Sequence, residues 1–130
     1  NWTVAYLKLF KRELLENLPF PLGKIAEDTY WTWKVLLKAS RVVYLNSYIY
    51  WYRIGLSGTL SNIWSEKRIY DEIEAREEKL AILASLNYDL TNHILIYKNR
   101  LQRVIAKLEE QNMQLTEIYR RMMEKLSLLP

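Results

Sequence analysis

The chain has no cysteine, which excludes disulfides and thiolate metal sites and is compatible with the cytosol. It has one histidine, His93. One imidazole cannot build a metal site, so His93 reads as a surface or packing residue of the helical tail. Asp28, Asp71 and Asp89 are the only aspartates, so no Asp-x-Asp pair exists. Three glycines leave no glycine-rich phosphate loop. No apolar run is long enough to span a bilayer. The opening NWTVAYLKLF lacks the cationic start and small-residue cleavage site of a signal peptide. It also lacks a first methionine, so the chain is expected to begin within a longer protein.

What remains is ordinary globular material rich in aromatic rings. Half the residues are hydrophobic and 26% are charged, within 130 residues. That suits one domain or a piece of a larger one. Ten tyrosines and five tryptophans concentrate in the first half. The net charge of +4 also belongs to residues 1–64, whereas 65–130 balance. A basic first half suits an anionic partner such as a phosphate or diphosphate, or is simply a solvated face. The lysines and arginines are scattered and form no recognition motif, so nucleic acid is not an expected partner.

The stretch Gly23–Ser40, GKIAEDTYWTWKVLLKAS, predicts a helix. Glu27 and Asp28 lie at its start, and Ala26, Tyr30, Trp33 and Leu37 share one face. Acids are favoured in a first helical turn by the unpaired N–H groups. A carboxylate placed there beside large aromatics is also suited to act as a general base. Before it, Trp2–Leu15 predicts a short helix, or a strand running into one. Pro19 and Pro21 then form a stiff connector. After it, Arg41–Gly55 is β-branched and aromatic and predicts two strands around a turn at Leu45-Asn46-Ser47. Gly55–Ser61 predicts a loop.

Ser65 is placed to cap a long helix, with a break at Ser85–Asp89 where Asp89 could cap the next. From Leu90 the apolar positions Ile94, Tyr97, Leu101, Val104, Leu108, Leu115, Ile118 and Met122 alternate by four and three, with Gln111 polar on the seam. This predicts a helix to about Ser127 that packs back on 66–84 or on another chain. Without the break, 66–126 would be a single helix.

The Lys8–Leu14 segment, FPLGKIAEDTYW at Phe20–Trp31, the RVVYLNSYIYWYRIG run and SGTLS at Ser57–Ser61 together resemble the C-terminal, acceptor-side part of bacterial family-2 glycosyltransferases with the GT-A fold. The resemblance covers residues 5–84, with 85–130 as a variable helical tail. It implies a mainly α fold with a small β component (α+β). Residues 1–64 would be part of the catalytic domain and 65–130 a helical, coiled-coil-like extension. It implies transfer of a sugar, with inversion, from a nucleotide-sugar donor to a saccharide or glycolipid acceptor. Asp28 would be the general base, with Glu27 beside it. Lys8, Arg53, Gly58 and Thr59 would face donor or acceptor, with structural salt bridges the equal alternative for Lys8 and Arg53, and Trp31 would stack on a sugar ring or pack in the core. The nucleotide-binding half and its Asp-x-Asp are absent, so these 130 residues alone are expected to be inactive. No metal ligands are assigned within the chain, and Mn²⁺ or Mg²⁺ is expected in the full-length enzyme. The resemblance further implies a cytoplasmic setting, at the inner face of the cell membrane, without a membrane span. The competing reading is a non-enzymatic helical module that oligomerises through residues 90–126.

Overall fold

The computed structural model describes residues 3–51 and 64–130. The chain divides into two compact units, Asn1–Ala75 and Arg76–Pro130. Among the described residues every regular element is a helix: α1 (Arg12–Leu15), α2 (Glu27–Lys38), α3 (Glu66–Ser85), α4 (Thr91–Glu110) and α5 (Glu117–Ser127). No described residue lies in a strand. This overturns the α+β expectation and its GT-A fragment.

The two strands expected from Arg41 onward are not formed within the described residues. Residues 41–51 are non-helical and exposed, with Val43 at 76% and Tyr48 and Trp51 fully open. The chain bends at Ser47, whose N–H donates to the Leu45 carbonyl at 3.0 Å. β-branched and aromatic composition describes a surface that fits a pleated sheet, and a strand still needs a partner ladder. No other described segment supplies one.

In the first unit, α1 is a single turn. Asn17 stops it in the left-handed region at φ 59°. Gly23, at φ 72°, turns the chain into α2. Nothing would touch a Cβ there, so glycine is needed for its backbone angle and not for space. Glu27 and Asp28 occupy the first turn of α2 and Lys38 the last, matching the helix dipole at both ends. The buried residues of α2 are Tyr30, Trp31, Thr32 and Val35. The inward face is therefore turned toward Trp31 and Val35, and Leu37 is 36% exposed. Trp31 sets that rotation. Its ring stacks on Phe20 at 4.2 Å and meets Phe10 edge-on at 5.4 Å, and its indole N–H donates to the Leu18 carbonyl at 2.6 Å. The first half of α3 adds Ile69 and Ile73 to the buried set. Ser65 caps it by accepting the Arg68 N–H at 3.2 Å.

The second unit is built from the end of α3 with α4 and α5. Its buried residues are Leu83, Tyr97, Leu101, Val104, Ile105, Leu108, Ile118 and Met122. α3 ends with Asn87 at φ 58°. There Tyr88 N–H reaches the Leu83 carbonyl and Asn87 N–H reaches Ala84, both at 3.0 Å. This is the Schellman pattern. Asp89 then accepts the Thr91 N–H at 2.9 Å at the start of α4. The same device recurs at the end of α4. Asn112 lies at φ 56°, Met113 N–H bonds Leu108 at 2.9 Å and Asn112 N–H bonds Glu109 at 3.0 Å. The continuous helix expected from Leu90 to Ser127 is thus cut at 111–116. Thr116 caps α5, and α5 folds back on α4. The heptad residues from Tyr97 to Met122 are spent within the chain, apart from Gln111 and Leu115, which are exposed.

Candidate functional site

The region of interest is the turn that delivers Glu27 and Asp28 to the start of α2. Asp71, on the first half of α3, lies almost out of solvent at 4% exposure. Its carboxylate accepts the Ile25 backbone N–H at 2.9 Å and the Lys67 ammonium at 2.7 Å. Lys24 lies 3.4 Å from its second oxygen. Burial pushes this carboxyl up, but the bonds from Lys67, the Ile25 N–H and Lys24 outweigh it and hold it below its ordinary 3.8. Lys24 also donates to Glu74 at 2.8 Å and sits 5.3 Å from the Tyr30 ring centroid. Bonding to Glu74, with further contributions from Tyr30 and Asp71, raises the Lys24 pKa above its ordinary value. Burial pushes the Tyr30 phenol up to about 12 against the opposing charge of Lys24.

The residues singled out from sequence fall in three places. Asp28 is half-buried on the first turn of α2, and Glu27 beside it is exposed. The Thr29 hydroxyl lies 3.4 Å from an Asp28 oxygen. Lys8 is half-buried and donates to the Val4 carbonyl. Burial lowers its pKa, opposed by the charge of Asp28. Lys8 and Asp28, some twenty positions apart in sequence, therefore share one electrostatic neighbourhood. Trp31 is in the core at 5% exposure, with Phe20 and Phe10 against its ring, and its described role is packing. Arg53, Gly58 and Thr59 lie outside the described residues.

Sequence reasoning missed Asp71. With Lys67 four residues before it, Asp71 reads as a solvent-exposed helical ion pair. Helical spacing gave no signal of its burial, since a residue two positions from Ile69 and from Ile73 points away from the face those two share.

In the second unit, the buried Tyr97 donates its hydroxyl to Glu77, and Lys125 also donates to Glu77. Burial and the Glu77 carboxylate push the Tyr97 phenol far above its usual range. His93 is half-buried on α4. Burial and Lys79 lower its pKa, with Asp89 opposing.

The described residues do not fit a divalent metal. They contain no group of three or more His, Cys, Asp or Glu side chains that could hold one, and the Asp71 oxygens face cations and an N–H. Among the described residues, no helix is long and apolar enough to cross a membrane.

Against known proteins, the chain is 36% identical over 125 residues to glycosyltransferase GlyA of Streptococcus pneumoniae. The match takes in 96% of this chain and 18% of that protein, so the chain spans under a fifth of its relative's length. No family model matches the chain, and no solved structure does. The similarity relates the chain to one segment of a glycosyltransferase.

Proposed function

We propose that this chain is the acceptor-side segment of an inverting, family-2-like glycosyltransferase, with Asp28 as its general base. The observation that carries the reading is the 36% identity running through almost the whole chain to a glycosyltransferase. The geometry supports the assignment of the base. Asp28 is held on a helix start whose preceding turn is pinned to α3, and Lys8 lies within electrostatic range.

In the proposed reaction the acceptor hydroxyl oxygen attacks the anomeric carbon of a nucleotide sugar. The bond from that carbon to the diphosphate breaks, and its electron pair leaves with the diphosphate. Asp28 takes the hydroxyl proton as the new bond forms, which requires an approach of about 2.6–3.2 Å. Glu27, exposed beside it, is placed to hold the acceptor. Lys8, with Arg53, Gly58 and Thr59 from the residues that follow, would face donor or acceptor. Trp31 acts from the core, by fixing the rotation of α2. The donor half of the site, with Mn²⁺ or Mg²⁺ if the enzyme uses one, would come from the rest of a longer protein. The segment alone is accordingly inactive. The acceptor would be a saccharide or glycolipid, met at the cytoplasmic face of the membrane.

The test is Asp28→Asn in the full-length protein. Loss of a general base costs about a hundredfold to ten-thousandfold in transfer rate, with folding unchanged by circular dichroism. Transfer at a near-normal rate would leave Asp28 as a helix-start acid only.

A further inference from the structure

We propose that Asp71 is a positioning residue for this site, the latch that holds the Gly23–Ala26 turn and through it the carboxylates of α2. The inference rests on the reading of Asp28 as general base. It goes beyond that reading by assigning a role to a residue on another helix, far along the chain.

The geometry is specific. Asp71 is almost wholly excluded from solvent, yet none of its bonds goes to another side chain of the core. One oxygen accepts the Ile25 N–H at 2.9 Å and Lys67 Nζ at 2.7 Å. The other lies 3.4 Å from Lys24 Nζ. Ile25 is two residues before Glu27 and three before Asp28. The N-terminal boundary of α2 carries no side-chain cap of its own, since Ala26 stands at the cap position. Asp71 therefore does from outside what a capping side chain does from within: it fixes the backbone immediately ahead of the first helical turn. Lys24, bonded to Glu74 at 2.8 Å, ties the same turn to α3 a second time. A general base tolerates little misplacement, and an error of about 1 Å can cost about a hundredfold in rate.

The experiment uses the full-length protein with uridine-diphosphate glucose, galactose and N-acetylglucosamine as donor probes, and hydrogen exchange at the Ile25 amide as a readout independent of turnover. Asp71→Ala is expected to speed Ile25 exchange at least about tenfold and to lower kcat about tenfold to a hundredfold. KM for the donor is expected to stay within about twofold, because the latch orients the base without touching donor. Asp71→Asn keeps one carbonyl oxygen for the Ile25 N–H. It is expected to hold Ile25 protected and to restore kcat to within about threefold of wild type. Wild-type kcat in Asp71→Ala, or unchanged Ile25 exchange in it, overturns the proposal. If Asp71→Ala does not fold, Asp71→Asn decides alone: a tenfold loss of kcat with Ile25 still protected overturns it. Transfer surviving in Asp28→Asn would instead remove the base itself, and exchange at Ile25 would show that the latch stands without it.

Discussion

At the residue scale, Trp31 and Asp71 do for α2 what its own sequence does not. Trp31 is the anchor. Removing its ring as Trp31→Ala is expected to cost about 3–5 kcal/mol, read as a fall in the urea midpoint. Trp31→Phe keeps an aromatic ring between Phe10 and Phe20 but strands the Leu18 carbonyl, for an expected loss of about 1–2 kcal/mol. A Phe variant as unstable as the Ala variant would mean that the N–H bond, not the ring, holds the helix. The sequence made α2 legible as a helix with acids at its start. It placed Tyr30 on the inward face but paired it with Trp33, where the fold buries Trp31. Tyr30, Trp31 and Trp33 are adjacent in a short helix, and the choice among them was made by Phe10, Phe20 and Leu18, residues outside the helical period. Asp71 was hidden for a related reason, since its partner four residues away fits an ordinary surface pair.

At the scale of elements, the helical half illustrates how a stretch without glycine ends its helices. Its three glycines all lie before residue 59, so Asn87 and Asn112 supply the two left-handed turns. Asparagine is the residue best able to replace glycine there, because its short polar side chain tolerates that region. Asn112→Gly is therefore expected to keep stability within about 0.5 kcal/mol of wild type, and Asn112→Ala to lower it by about 1 kcal/mol. Thermal melts of the two variants check this. Equal melts would show that the turn is imposed by the packing of α5. The first break was legible, because Ser85–Asp89 clusters turn formers. The second was not, because Gln111, Leu115 and Ile118 carry the heptad spacing across the gap. Spacing describes which residues would share a seam, and it is blind to a reversal that lets the seam close on its own chain. The strands expected after Arg41 failed on the opposite ground: their composition suits a sheet, but no described segment offers the ladder.

At the scale of the whole molecule, the Lys24–Asp71–Lys67 cluster gives stability a defined dependence on pH. The Asp71 carboxyl in the folded protein titrates below its ordinary 3.8, so the unfolded chain takes up the proton first as pH falls. Its contribution is fully present above that ordinary value and is lost as pH drops through the lowered one. Lys24, raised above its ordinary 10.5, contributes below that value and is lost only as pH rises through the higher one. Between those limits, stability is expected to be flat with respect to these two groups. As pH falls below 3.8, the Ile25 amide should lose protection, measured against its intrinsic exchange rate at each pH, before the helical signal of α4 and α5 falls. Simultaneous loss of both would count against a local opening. The Ile25–Asp71 bond joins residues 46 apart, whereas Tyr119 and Glu109, ten apart, tie α5 to α4. Closing the larger loop costs about 3–4 kcal/mol of chain entropy before any contact offsets it. Time therefore orders the molecule: the α4–α5 hairpin is quick to form because its contacts are local. The turn that carries Glu27 and Asp28 is expected to be set later, when α3 arrives to hold it.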